Sequence, residues 1–217
     1  MSTQLDIISD PICPWCYIGK ARLDRALESR PDHTFDIHWR PFQLNPDMPP
    51  EGMDRQAYLE WKFGGPDGAA RVYGQIEQTA RDTGLDIDFP AITRTPNTLD
   101  THRLIRWARV EGRQTLVVTQ LFHRYFRQGQ DISDHNVLGE VANTVGMDEA
   151  LVHRLLDGDA DLEETRLEDA KAREMGVTGV PTFIIGNTYA VQGAQDVATW
   201  LKIIDEIIEK TKAMADN

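Results

Sequence analysis

The sequence predicts an α/β fold in which a βαβ unit at the start of the chain and a ββα unit at its end are separated by a long helical insertion. Three observations lead there: alternating apolar runs confined to the two ends, long stretches of helical spacing between them, and a tight strand-to-helix turn after residue 10. Leu5, Ile7 and Ile8 form a short β-prone run that ends at Asp10-Pro11. From Cys13 the spacing becomes helical, with Ile18, Leu23, Ala26 and Leu27 as its apolar positions, and Arg30-Pro31-Asp32 closes that helix. Phe35, Ile37 and Trp39 then alternate with polar residues and share one face of a second strand. A right-handed crossover makes the two strands parallel and sets the turn at the carboxyl end of the first, where α/β sheets bind their ligands.

From Met53 to about Met175 the pattern is helical, with amphipathic stretches from Thr101 to Glu111, Thr115 to Arg127 and His135 to Val145. Gly64-Gly65-Pro66, the segment from Asp88 to Pro96, Gly129 and Gly158 break it into several helices, and no fixed period repeats along it. After Gly176 the β character returns in Thr182–Ile185 and Tyr189–Val191 around a Gly186-Asn187 turn. A last amphipathic helix carries Trp200, Ile203, Ile204, Ile207 and Ile208. The predicted organisation is one domain from residues 1–52 and 176–217, with residues 53–175 as an all-helical domain inserted as a cap.

With 217 residues, 41% hydrophobic and 27% charged, the chain is long enough for a sizeable core and has the composition of a globular protein. Its net charge of -12 repels phosphate backbones and anionic lipid heads, which argues against nucleic acid and membrane surfaces as partners. No stretch approaches the roughly 20 apolar residues of a membrane span. The first apolar run is short, interrupted by Asp6 and not preceded by a basic residue, so no signal peptide is predicted and the cytoplasm is the expected location. Two cysteines give no disulfide framework, which leaves the pair redox-active, metal-binding or incidental.

Cys13-Pro14-Trp15-Cys16 is the segment that carries chemistry. A Cys-x-x-Cys pair across the first turn of a helix brings the two sulfurs within disulfide reach. Pro14 suits the first helical position, where its missing N–H costs nothing. Cys13 then meets unpaired backbone N–H groups and the positive end of the helix dipole, which favour thiolate and make it the expected nucleophile. Cys16, one turn in and shielded by Trp15 and Tyr17, stays protonated longer and is suited to resolve a mixed disulfide. A zinc half-site is the competing reading, but the one close histidine pair, His33 and His38, falls on opposite faces of a strand. No metal is therefore predicted, and buried, inert thiols remain a third reading. A second segment, Gly176-Val-Thr-Gly-Val-Pro-Thr-Phe183, places Pro181 just ahead of a strand, where a missing N–H is tolerated and either proline isomer is open.

Taken together, the Cys pair after a first strand and Gly-Val-Pro-Thr-Phe before a late one resemble the thioredoxin superfamily. The helical insertion is similar to the DsbA-like branch. Ser9-Asp-Pro-Ile-Cys-Pro-Trp-Cys-Tyr-Ile-Gly-Lys20, Asn97-Thr-Leu-Asp-Thr-His-Arg-Leu104 and Tyr189-Ala-Val-Gln-Gly-Ala194 resemble its FrnE-like subfamily. That subfamily is related to 2-hydroxychromene-2-carboxylate isomerases and kappa-class glutathione transferases. The resemblance implies a thioredoxin fold and a cis bond between Val180 and Pro181 facing the Cys pair. It also implies that the Val180 backbone pairs with a substrate peptide or glutathione, and that Asn97 and His102, with Asp100 and Arg103, orient substrate at the cleft. Where DsbA has a histidine between its cysteines this chain has Trp15, which implies a less oxidising pair.

The expected function is thiol–disulfide exchange, with Cys13 attacking, Cys16 resolving, Pro14 and Trp15 tuning the pair, and Val180-Pro181 positioning a disulfide-containing or unfolded polypeptide or a small thiol. No cofactor is required, glutathione is an admissible co-substrate, and a homodimer is compatible with the sequence. The alternative is a glutathione-dependent isomerase or transferase acting on an aromatic or polyketide-like small molecule. Those relatives present a serine in place of the first cysteine, and a Gly-Ser-Asp-like turn where this chain has Gly193-Ala-Gln-Asp196.

Overall fold

The computed structural model describes residues 2–215; Met1, Asp216 and Asn217, at the two ends of the predicted first domain, lie outside the described residues. The chain opens with β1 (Thr3–Ser9), α1 (Pro14–Glu28) and β2 (Phe35–Pro41). The two strands pair in parallel along their whole length, from Thr3 opposite Phe35 to Ser9 opposite Pro41. The intervening chain holds α2 (Arg55–Phe63), α3 (Pro66–Asp82), α4 (Leu99–Val110), α5 (Gln114–Gln128), α6 (His135–Thr144), α7 (Glu149–Leu156) and α8 (Leu162–Glu174). It also holds something the all-helical expectation did not contain. Strands β3 (Met53–Asp54) and β4 (Arg94–Thr95) form a two-residue antiparallel ladder that closes the segment carrying α2 and α3 into a loop. The chain finishes with β5 (Thr182–Ile185), β6 (Tyr189–Gln192) and α9 (Val197–Ala215).

The main sheet has the order β2-β1-β5-β6, with β5 antiparallel to both β1 and β6. As the central parallel strand, β1 is buried from Leu5 to Ser9, which explains why it reads as a run of apolar residues with little alternation. Leu5 and Ile7 join the core that holds Leu23, Phe183 and Trp200, while Ile8 packs from the other face with Phe42, Ala172 and Val177. That main core continues without a break into Leu104, Val117, Leu121 and Phe122 of α4 and α5, so the sheet and the inserted helices share one apolar interior.

Sequence explains the turns that hold this arrangement. Gly186 and Asn187 both have φ of 56°, the left-handed pair that a type I′ hairpin requires. Gly64 ends α2 with φ of 74°, and Pro66 opens α3 at a position that needs no N–H donor. At the edge of the sheet, the Trp39 N–H donates to Oε1 of Gln114 (3.1 Å), and Gln114 Nε2 donates back to the Trp39 carbonyl (3.2 Å). One buried amide thus completes the backbone of an edge strand that would otherwise present open groups.

Candidate active site

Cys13 is the N-cap of α1, with φ of −85° and ψ of 113°, and Pro14 is the first helical residue. The backbone N–H groups of Cys16 and Tyr17 donate to the Cys13 carbonyl, at 3.1 and 3.2 Å. Both thiols are free, and both cysteines are buried. The Cys13 thiol donates to the Val180 carbonyl at 3.6 Å, across 167 positions of sequence. The Val180–Pro181 peptide bond is cis. Thr182 Oγ1 donates to the Gly179 carbonyl at 2.8 Å and shapes this loop from within. Thr178 and Gly179 are exposed and Val180 is half-buried, so an accessible strip of backbone ends beside Cys13.

Helix α1 comes very close to this loop. A Cβ on Gly19 would lie 3.0 Å from Cγ of Pro181, so glycine is what admits the contact. On the opposite side, Tyr17 stacks against Phe122 and Phe126 of α5, with ring centroids 5.1 and 5.5 Å away. Trp15 is half-buried between the main core and a small cluster of Ile18, Ile76 and Ala80, where it joins α1 to α3. Nearby, the buried Arg55 guanidinium donates to Thr95 Oγ1 (3.1 Å), the Tyr125 hydroxyl (3.4 Å) and the Tyr73 hydroxyl. Burial raises the Tyr73 phenol above its usual value, and Cys13 is among the groups acting on it.

The two sulfurs differ most behind the helix. Burial pushes the Cys16 thiol well above its ordinary value; the adjacent Cys13 adds to the rise, and the Ser9 hydroxyl opposes it. Next to it, Asp10 is fully buried, and desolvation raises its carboxyl from 3.8 to about 7 although the N–H groups of Leu44 (2.7 Å) and Ile12 (3.3 Å) donate to it. His102 Nε2 lies 3.9 Å from Asp10 Oδ1. Burial lowers this imidazole from 6.5 to about 3, against a hydrogen bond with the Phe42 backbone that pulls the other way.

The remaining expected site residues fall in two groups. Cys13, Pro14, Cys16, Val180 and Pro181 come together at the start of α1, with Trp15 alongside. The contacts of Asn97 and His102 are with the fold. Asn97 donates to the Met48 carbonyl (2.6 Å) and accepts from the Leu99 N–H (2.9 Å), so it pins the 43–50 segment to the start of α4. His102 is 2% exposed because α4 is buried on all sides from Thr101 to Ile105. Asp10 reads in the sequence as the end of the first strand, and Ser9-Asp10 as the opening of the stretch that resembles the FrnE-like subfamily, with no role for either side chain. The signal available was an acid placed in an otherwise apolar run just before the cysteines. Among the described residues, no group of three His, Cys, Asp or Glu side chains is placed to hold a metal ion, and no helix is long and apolar enough to cross a membrane.

With this geometry in place, the DSBA-like thioredoxin domain matches residues 4–205. The chain belongs to that family. A Bacillus subtilis protein, YwbO, itself uncharacterized, is 27% identical over 211 residues, covering 95% of this chain and 98% of that one. The crystal structure of a probable DsbA oxidoreductase from Streptomyces coelicolor aligns with a TM-score of 0.84 at 28% identity, over 95% of this chain and 90% of the other. A 2-hydroxychromene-2-carboxylate isomerase shares the fold with a TM-score of 0.73 at 16% identity, over 97% and 98% of the two chains. The DsbA-like family is one of thiol oxidoreductases, and the mixed sheet with its helical insertion is the thioredoxin fold of that family.

Proposed function

We propose that this DsbA-like protein is a protein thiol–disulfide oxidoreductase, in which Cys13 attacks a substrate disulfide and Cys16 resolves the mixed intermediate. The observation that carries the reading is the placement of the Cys13 sulfur at a helix N-terminus, 3.6 Å from the Val180 carbonyl, with the second thiol buried directly behind it. An extended peptide lying along Thr178–Val180 would bring its own sulfur to Cys13 and use main-chain groups for affinity, as strand addition does. Polypeptides with disulfides and small thiols such as glutathione are the proposed substrates, and the cytoplasm is the proposed location. Retention of both cysteines favours dithiol exchange over the glutathione-linked isomerase chemistry of the same fold.

The test is reduction of insulin by dithiothreitol, followed as precipitation of the freed chain. Wild type is expected to accelerate it, Cys13→Ser to abolish the acceleration, and Cys16→Ser to accumulate a mixed disulfide on Cys13 that mass spectrometry detects. A wild-type rate equal to that of Cys13→Ser would refute the assignment.

A further inference from the structure

The two edges of the main sheet are finished differently. On β2 the Gln114 amide completes the outermost backbone; β6 closes the other edge of the sheet. There the Gly193 N–H donates to the Pro181 carbonyl at 2.8 Å, which makes these two residues a hydrogen-bonded pair. Such pairs alternate along an antiparallel ladder, so Phe183 with Val191 and Ile185 with Tyr189 are the next ones in the register. The N–H and C=O groups of Ala190 and Gln192 therefore point away from β5, out of the sheet. Gln195 Nε2 donates to the Gln192 carbonyl at 2.7 Å, while Ala190, among the described residues, keeps both groups open. Edge strands are usually blunted by charge or proline. This one is not: from Met175 to Gln195 the chain has no Asp, Glu, Lys, Arg or His, although 27% of all its residues are charged. Tyr189 and Val191 share the face of β6 that looks towards α9, where Val191 packs against the main core and Lys210 Nζ lies 5.3 Å from the Tyr189 ring. Tyr189 is still 58% exposed.

We propose that β6 is a docking edge for a second copy of this chain, which pairs with it antiparallel about a two-fold axis at Ala190 and joins the two sheets into one. The choice of a second copy follows from symmetry and from charge. Pairing centred on Ala190 lets the two copies of that residue exchange both of their open hydrogen bonds, and each Gln192 N–H then meets the carbonyl of the partner's Thr188. On the α9 face the same register sets Tyr189 opposite the partner's Val191, twice over, an aromatic and β-branched pair of the kind that stabilises sheets. Each copy has a net charge of -12, so two copies repel over most of their surface and approach closely only where charge is missing. A partner of opposite charge would favour the acidic faces over this edge.

A strand of 4 residues buries little surface, so the pair belongs with weak self-associations, well under the area of an obligate dimer. Salt acts on it with a definite sign. Screening weakens the repulsion between two acidic copies and leaves the backbone hydrogen bonds and the Tyr189 contact in place, so association strengthens as salt is added. The inference stands apart from the dithiol reading, because β6 is separated by β5 from the strand that leads to Cys13.

Sedimentation velocity of the full chain, from micromolar to millimolar concentration, tests the pairing. The wild type is expected to move from 24.6 kDa towards twice that mass, and to do so at lower concentration when salt is raised. Ala190→Lys sets like charges against each other at the axis and should raise the midpoint concentration by about 10-fold or more, and Ala190→Asp should do the same. An equal mixture of the two variants should recover the dimer, because lysine then faces aspartate. Ala190 is exposed and its N–H serves no bond within the sheet, so both variants should keep the wild-type unfolding curve and insulin reduction. Tyr189→Ser, which removes the ring that covers the partner's Val191, decides the question if either fails to fold. Four results overturn the proposal: a wild type at the monomer mass throughout, a dimer that Ala190→Lys leaves intact, a mixture that stays monomeric, or a dimer that salt dissociates. A protein that dimerises as expected but does not reduce insulin overturns the dithiol reading alone.

Discussion

His102 and Arg103 are neighbours on α4, each 2% exposed, and they are settled in opposite ways. Arg103 donates to the carbonyls of Leu155 (2.6 Å), Gly158 (2.6 Å) and Ala160 (2.8 Å) and to Asp100 Oδ1 (2.7 Å), and its guanidinium lies over the Trp107 ring at 5.1 Å. Those carbonyls belong to the last turn of α7 and the loop after it, where helix geometry leaves them without intrahelical donors. Arg103 is thus a structural clamp, with its hydrogen-bonding capacity spent on backbone. His102 hydrogen-bonds the Phe42 backbone and leaves Nε2 without a partner, 3.9 Å from Asp10 Oδ1. Equal burial therefore says little about role; the accounting of donors and acceptors separates a residue that holds the fold from one available for chemistry.

Removing the clamp should produce the largest effect. Arg103→Ala deletes a buried cation and strips its donors from part-buried carbonyls, so a loss of about 2–4 kcal/mol in urea unfolding is expected. Arg103→Lys should recover little of this, because an ammonium cannot reproduce the planar fork that reaches several carbonyls at once. Unaltered stability in Arg103→Ala would erase the contrast with its neighbour.

Asp10 and His102 make the comparison pH-dependent, and their signs oppose. The Asp10 carboxyl is raised from 3.8 to about 7, so the folded state holds a proton the unfolded chain has lost, and its stabilisation declines as pH rises through that window. The His102 imidazole is lowered from 6.5 to about 3, so its stabilisation is complete above 6.5 and is lost as pH falls towards 3. Each slope is at most about 1.4 kcal/mol per pH unit, and the two cancel where the windows overlap. The stability of Asp10→Asn relative to wild type should therefore climb with pH between 3.8 and about 7. That of His102→Gln should fall between about 3 and 6.5. Parallel difference curves would show that the two groups do not sit in one buried environment.

What could be read from the sequence follows the same line between periodic and singular information. β1, α1, β2, the β5–β6 hairpin and α9 announce themselves because each has a regular apolar pattern and a recognisable terminator, such as Gly186-Asn187. Cys13 and Cys16 were legible because their chemistry depends on local spacing. The helix α8 was not individually legible: its buried residues are Thr165, Asp169 and Ala172, which leave no apolar stripe to detect. The closure of the β2 edge by Gln114 spans 75 positions and has no local signature. The resemblance places both His102 and Arg103 at the substrate cleft, since a helix pattern with His and Arg side by side does not reveal which one faces a neighbouring helix end and which a strand end. Asp10 looked like a terminator because an acid before proline usually is one; its burial depends on Leu44, Thr98 and Asp169, all distant in sequence.

Packing extends the comparison to the front of the cysteine pair, where the expected effect is smallest. Alanine normally improves a helix interior over glycine by about 1 kcal/mol. At Gly19 the added Cβ would meet Pro181 Cγ at 3.0 Å, with Phe183 Cζ and Ala194 Cα at 3.5 Å, so the gain is opposed by a contact that only a small shift of the Pro181 loop relieves. Gly19→Ala should leave unfolding stability nearly unchanged, and Gly19→Val should lower it by about 1–3 kcal/mol through overpacking. Because Val180 moves with Pro181, both variants should slow the reduction of insulin by a few-fold, Gly19→Val more than Gly19→Ala. A Gly19→Val protein that reduces insulin as fast as wild type would mean that the Pro181 loop does not position the disulfide that Cys13 attacks, and that its contact with α1 serves packing alone.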